Sequence, residues 1–405
     1  MLLKVPHTAC PIKEYTNLLL QHQLALYLHI PFCRTRCSYC AFNTYAGLTA
    51  WIAPYMRALR REIELAAATE RHPAHTVYFG GGTPSLLPVD EIAAVRDTVA
   101  AGFALAPNAE ITLEANPGTV TQHQLTALRQ IGINRLSIGM QSAHDSELKL
   151  FARQHRLDDV RATVTMARSA GFENVSLDVI YGNPRQTMTM WRISLNEALK
   201  LAPTHISLYS LSIEDATPMQ RWLVENKLPP PDPDLAADMY EWASDQLAAA
   251  GYDHYEISNW ARPGFACRHN VHIWRNLPYL GFGAGAHGSA AHTRYANVLR
   301  PETYIERVQA QSAPSFPVSA AAEEVDIIDE QADMAETMFM GLRLTQEGIS
   351  PRAFQARYGH DLWAVFGQAL DRLLAQGLLE RTLDHRVRLT ERGRLLGNRV
   401  FAEFV

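Results

Sequence analysis

Cys33, Cys37 and Cys40 stand in the run His29-Ile-Pro-Phe-Cys-Arg-Thr-Arg-Cys-Ser-Tyr-Cys, with three and then two residues between them. Thiolates this closely spaced converge on one soft metal centre or cluster. A cubane of four irons normally takes four thiolates, so three leave one iron open to an exchangeable ligand, as a catalytic metal keeps a position free. Two other readings compete: a zinc site with His29 as fourth ligand, and unrelated thiols. Zinc knuckles usually come as two separated Cys-x-x-Cys pairs, and no second pair exists in this sequence. With five cysteines in 405 residues and no signal-peptide pattern ahead of the motif, a reducing cytoplasm is expected. Cys10 and Cys267 read as small buried residues.

The elements that must position these thiols alternate. Short β-rich runs occur at Leu24-Ile30, Thr76-Phe79, Glu110-Glu114, Arg135-Ile138, Val175-Ile180 and His205-Leu211. Between them lie helical periods such as Ile52, Met56, Leu59 and Ile63, then Ile92, Val95 and Val99, then Leu125, Leu128 and Ile131. Strands joined by helical crossovers form a parallel sheet, and six units suit a partial barrel or an open doubly wound sheet. Either places ligands at the carboxyl ends of the strands, and the cysteine loop directly follows the first strand. Composition sets outer bounds. A net charge of −5 makes the whole chain a poor electrostatic match for nucleic acid or an anionic bilayer, and no apolar run is long enough to span a membrane.

After the second strand, Gly80-Gly81-Gly82-Thr83-Pro84 offers a turn where backbone can approach a ligand unobstructed. Glu114, Gln141 and Asp178 each end or follow a later strand, so all three are expected at one rim of the sheet. Arg153 and His155 could face a carboxylate. Gly283, Gly285 and Gly288 spell Gly-x-Gly-x-x-Gly, but with no clear strand before and no amphipathic helix after, tight loop packing is the better reading than a dinucleotide fingerprint. From Pro229 the pattern becomes a rigid loop, a helix carrying Leu235, Met239 and Trp242, and an irregular Gly-rich stretch through Gly288 expected to close the barrel mouth. Residues Asp329 to Gln376 read as two or three helices followed by short strands at Leu378-Arg381 and Val387-Leu389, resembling a winged helix. Arg381 to Arg399 holds six arginines, for which a solvated face is favoured over nucleic-acid binding.

Together, Tyr27-Leu-His-Ile-Pro-Phe-Cys, the three cysteines, Gly-Gly-Gly-Thr-Pro-Ser, Glu114-Ala-Asn-Pro, Ser137-Ile-Gly-Met-Gln141 and Asp178-Val-Ile-Tyr-Gly182 resemble the oxygen-independent coproporphyrinogen oxidase-like group of radical S-adenosylmethionine proteins. The resemblance runs from about residue 24 to the C-terminus. It implies a partial (β/α)6 barrel over 24–228, a barrel-closing, haem-associated segment over 229–318, and a winged-helix-like domain over 319–405, with 1–23 as an extension. It assigns Cys33, Cys37 and Cys40 to a 4Fe-4S cluster, and Tyr27, Tyr39, Gly81, Gly82, Thr83, Glu114, Gln141, Arg153 and Asp178 to S-adenosylmethionine. The group's true dehydrogenases carry a further cysteine two residues after the third, where this sequence has Phe42. That departure favours a haem-chaperone branch, which passes haem to an acceptor protein. The branch carries a His-Asn-x-x-Tyr-Trp signature, matched by His269-Asn-Val-His-Ile-Trp274 except at Ile273. His269 and His272 are thus the candidate haem ligands. The competing expectation is an enzyme, a coproporphyrinogen III dehydrogenase using a 5′-deoxyadenosyl radical. The sequence names neither acceptor nor electron donor.

Overall fold

The computed structural model describes residues 23–68 and 71–405; the expected extension over 1–23 lies almost wholly outside them. The six expected strands form as β1 (Leu24–Ile30), β2 (Pro73–Gly81), β3 (Ala104–Ala115), β4 (Arg135–Gln141), β5 (Asn174–Tyr181) and β6 (His205–Ser210). Consecutive members pair in parallel. The crossover helices include α1 (Ile52–Ala67), α2 (Val89–Gly102), α3 (Gln122–Gln130), α4 (Leu157–Ser169) and α5 (Met188–Lys200).

Strand alternation accounts for the barrel. Leu24, Leu26, Leu28, Val77, Phe79, Ile111, Leu113, Leu136, Leu177 and Ile206 join one apolar core with the helices, including Met56, Leu59 and Ile63 of α1. The alternate positions are Tyr27, Thr76, Tyr78, Glu110, Glu114, Arg135, Ser137, Ser176, Asp178, His205 and Ser207. A parallel sheet covered by helices on both faces would be apolar throughout. Here one face is polar, and it lines the lumen.

The region after residue 229 is more regular than its sequence suggests. Helix α6 (Pro233–Ala249) forms as expected and buries Met239. The Gly-rich stretch then supplies strands to both edges of the sheet: β7 (Asp253–Glu256), β8 (Asn259–Ala261), β9 (Tyr279–Phe282), β10 (His287–Ala290), β11 (Thr293–Asn297) and, later, β12 (Ala322–Ile327). The resulting order is β12-β11-β10-β9-β1-β2-β3-β4-β5-β6-β8-β7. Because β9 pairs with β1 in parallel, it acts as a seventh barrel strand. The Gly-x-Gly-x-x-Gly segment does follow a strand, contrary to expectation, but β10 rather than a helix comes after it. Tight packing does explain its first glycine. Gly283 has φ +102, and a Cβ there would meet the His29 carbonyl and the Tyr55 hydroxyl at 2.5 Å.

The Glu62 carboxylate of α1 staples this region to the barrel. It accepts from the Gly283 amide (2.8 Å), Asn297 Nδ2 (2.8 Å), the Tyr304 hydroxyl (2.6 Å) and Ser319 Oγ. Burial pushes its pKa up, and these donors oppose the shift.

The sheet continues past residue 319, so the C-terminal helices begin at Glu330. Helices α7 (Glu330–Gly341), α8 (Pro351–Tyr358) and α9 (Leu362–Ala375), with the hairpin Leu379–Arg381 and Val387–Leu389, surround a separate core including Met338, Leu370 and Val387. Five of the six clustered arginines have partners within the fold. Arg381 lies over Trp363, Arg386 pairs with Glu347, Arg388 with Glu380, Arg392 reaches the Gln376 carbonyl, and Arg394 meets His254.

Candidate functional site

The cysteine loop leaves β1 at Pro31 and is pinned by its backbone. The Ser38 amide donates to the Phe151 carbonyl (3.2 Å), and the Met219 amide donates to the Ser38 carbonyl (2.9 Å). Asn43 Nδ2 donates to the carbonyls of Ala284 and Leu299, both at 2.9 Å. These ties leave all three thiols partly exposed. Thr83 Oγ1 points at Cys33 Sγ (3.6 Å), and Cys40 Sγ lies 3.8 Å from Thr44 Oγ1. Burial raises the Cys33 and Cys37 thiol pKa values, while the Arg153 cation pulls both down. His29, the fourth ligand of the zinc reading, is otherwise engaged: Nδ1 faces the Tyr27 hydroxyl (3.1 Å) and Nε2 the Asn43 carbonyl (2.9 Å). Among the described residues, no three His, Cys, Asp or Glu side chains gather closely enough for a single ion.

Gly81 and Gly82 sit where β2 ends against this loop. Gly81 has φ +110, and a Cβ on it would strike the His29 imidazole at 2.5 Å; one on Gly82 would meet the Phe32 carbonyl at 2.7 Å. The glycines therefore serve self-packing of the loop as well as ligand access. The Gly81 amide is already used, donating to Glu114 Oε2 (3.1 Å), while the Tyr78 hydroxyl donates to Oε1 (2.9 Å). Burial first, then the charge of Asp178, pushes Glu114 up to about 7. Asp178 is also raised by burial; Ser137 Oγ donates to it at 3.1 and 3.2 Å. Burial, followed by Glu114, raises the Tyr27 pKa.

A second group forms around Arg153, whose guanidinium donates to Asn116 Oδ1 (2.6 Å) and the Tyr39 hydroxyl (3.0 Å). Neither partner is a carboxylate, and among the described residues its Nε has no hydrogen-bond partner. Burial pushes Tyr39 up to about 12, with Arg153 opposing. Gln141 has φ 63. Its side chain lies over Gly139, where a Cβ would be 2.7 Å from Gln141 Nε2 and 3.5 Å from the Arg153 guanidinium. Cys37, Thr83, Asn116, Arg153 and His155 share a cavity of about 220 Å³. His155 bonds the Met140 carbonyl (3.0 Å), so it is a wall of this cavity with one nitrogen already used. Sequence reasoning overlooked Asn116, Tyr78 and Ser137. Asn116 lay inside the Glu-Ala-Asn-Pro motif, and the other two alternate with apolar neighbours on their strands, which marks the lumen face.

His269 and His272 do lie on one short helix, Arg268–Trp274, whose first turn is bonded to Thr76 and Glu110 of the sheet's polar face. They are 6% and 3% exposed. His269 Nδ1 bonds Thr76 Oγ1 (2.9 Å), and burial drives its pKa down to about 3. His272 takes part in a relay: Arg268 donates to His75 Nδ1 (3.3 Å), His75 Nε2 to His272 Nδ1 (2.8 Å), and His272 Nε2 to the Pro278 carbonyl (2.8 Å). Glu110 accepts from the amides of Arg268 and His269, both at 3.0 Å. In the ligand-free chain both expected haem imidazoles are hydrogen-bonded within the fold. His269 is enclosed, whereas His272 also borders a cavity of about 470 Å³ that His75, Arg268 and Arg275 help to line.

A polar-lined parallel barrel with a three-thiol loop after its first strand defines a radical S-adenosylmethionine type of protein. The Radical SAM superfamily description matches residues 27–198, and the HemN C-terminal domain matches 328–396. The chain is 36% identical to the heme chaperone HemW of Bacillus subtilis over 94% of this chain and 98% of the relative. It is 39% identical to the heme chaperone HemW of Mycobacterium tuberculosis over 93% of each. The chain belongs to the HemW family. The solved structure of Escherichia coli coproporphyrinogen III oxidase (HemN) shares its fold, with a TM-score of 0.81 at 22% identity, covering 98% of this chain and 93% of that one.

Proposed function

We propose that this protein is a cytoplasmic haem chaperone that binds haem and hands it to an acceptor apo-protein. The observation that carries the reading is near full-length similarity to proteins curated as heme chaperones; Phe42, standing where the dehydrogenases have a cysteine, supports it. No helix among the described residues is long and apolar enough to cross a membrane.

The site residues suit a cluster and S-adenosylmethionine. Cys33, Cys37 and Cys40 would hold the cluster; Arg153, a cation without a carboxylate partner beside two of those thiols, suits an anionic group. Glu114 and Asp178 are acceptors on the lumen wall for the cofactor's hydroxyls, and Gln141, Thr83, Tyr27 and Tyr39 complete the enclosure with Gly81 and Gly82. When bound, the pair supplies one-electron chemistry and a 5′-deoxyadenosyl radical. The protein's own contribution is to orient the ligand, keep the lumen polar and restrict water.

Retention of the whole cradle is the observation that favours the second reading, a coproporphyrinogen III dehydrogenase. Anaerobic reconstitution followed by parallel assays separates the two. Stoichiometric haem uptake and transfer without vinyl product supports the chaperone, whereas vinyl product from coproporphyrinogen III establishes the enzyme.

A further inference from the structure

A second cavity, of about 630 Å³, shares no lining residue with the one at Arg153, and it adjoins the proposed cofactor enclosure through Tyr27, which lines it. Its volume lies within the ~300–1,000 Å³ usual for small-molecule sites. It opens beside the cysteine loop, and its walls include Phe42, Tyr45, Tyr279 and Leu299. Phe42 is 69% exposed and Leu299 56%. Large apolar side chains grouped at a surface mark a binding region more often than chance scatter does. Asn43 holds this stretch in place through its two bonds to Ala284 and Leu299, and Tyr45 donates to the same Leu299 carbonyl (3.1 Å). The apolar wall is thus built on a fixed backbone.

Two polar features complete it. Arg36 lines the cavity and donates to the Cys40 carbonyl (3.2 Å), while the charges of Glu302, Arg300 and Arg36 all act on Tyr45. His287, exposed on β10, lines the opposite strand edge, and its side chain has no hydrogen-bond partner among the described residues. It differs in this from His29, His75, His155, His205, His269 and His272, all bonded within the fold. A flat apolar ligand with an anionic edge and a metal open along its axis matches this set. Imidazole is a common haem-iron donor, and arginine suits carboxylates.

We propose that this crevice is the haem-docking site, with Phe42 and Leu299 against the macrocycle, His287 supplying an axial nitrogen and Arg36 facing a propionate. The inference rests on the chaperone reading and names a site apart from the His269–His272 helix. It also gives Phe42 a positive role, since a cysteine there would remove the largest exposed apolar surface of the crevice.

The test is hemin titration of the anaerobically reconstituted full chain, followed by the Soret band. His287→Ala is expected to weaken binding at least about tenfold and to shift the band, as loss of groups supporting a metal does. His287→Met should regain much of the affinity with a different spectrum, and Phe42→Ser should weaken binding without changing the axial signature. Because both positions are exposed, the far-ultraviolet spectrum should stay as in the parent. If the parent binds one hemin and His287→Ala binds it with the same band and within about twofold of the same affinity, the crevice assignment is overturned while the chaperone reading stands. If the parent binds no hemin, the chaperone reading falls and takes the crevice with it.

Discussion

Replacing Arg153 with Met should separate the fold from the cofactor site. In the ligand-free chain the guanidinium makes two hydrogen bonds, to Asn116 and Tyr39, and has no carboxylate partner among the described residues. Each such charged bond contributes about 1.5–3 kcal/mol, but holding an uncompensated cation out of water costs several kcal/mol. The two effects oppose, so Arg153→Met is expected to change unfolding free energy by no more than about 1.5 kcal/mol in either direction. Ligand binding should respond differently. Loss of a desolvated charge pair costs about 2–5 kcal/mol, which is roughly 30-fold to several thousand-fold in affinity. The same change removes the cation that pulls the Cys33 and Cys37 thiols down, so cluster reconstitution should require a higher pH. The assays are urea unfolding of the apo-protein, anaerobic equilibrium binding of S-adenosylmethionine, and cluster absorbance against pH. If Arg153→Met lost more than about 3 kcal/mol of stability while affinity moved by less than about threefold, Arg153 would be a structural pillar and the carboxylate assignment wrong.

Glu114 gives a pH prediction. Its folded value of about 7 lies above the usual 4.5, so the folded state holds this proton more tightly than the unfolded chain. Its contribution to stability is therefore full below 4.5 and lost as pH rises to about 7, a change of roughly 3 kcal/mol that Glu114→Gln should abolish in paired unfolding curves. Conversely, affinity for S-adenosylmethionine should rise as pH increases toward 8 and Glu114 becomes a full acceptor, with Glu114→Gln flat in the same titration. Glu62→Leu leaves four donors without an acceptor, so a loss of at least about 4 kcal/mol is expected, read by chemical denaturation. Leu59→Ala, deep in the α1 interface, should cost about 2–5 kcal/mol with cofactor affinity unchanged.

Much of the barrel was legible because strand and helix periods are local. All six core strands and the first three crossover helices could be read from runs of a few residues, whereas α4 and α5 were not singled out. The strands after residue 250 were not, because β7 to β11 are only three to five residues long, and the group is anchored by β8 and β9 pairing with β6 and β1, edges built far earlier in the chain. The polar alternation inside the six strands was present in the sequence too; it separates a barrel lumen from an open sheet once the face of each residue is known.

The thiol triplet raised the expectation of a cluster loop from its own eight residues, since spacing within a loop is a covalent constraint. Glu114 stands next to the end of β3 as expected, but Asp178 lies inside β5, where strand alternation turns it to the polar face. What the tertiary structure alone decided was which partners the imidazoles and the arginine have within the fold. His269 and His272, adjacent on one helix and eligible by type, are held by Thr76, His75 and Pro278 across the lumen, whereas His287 faces a crevice with its ring unbonded. Residue type sets what a side chain can do, but burial and partners brought from distant strands set whether it is free to do it.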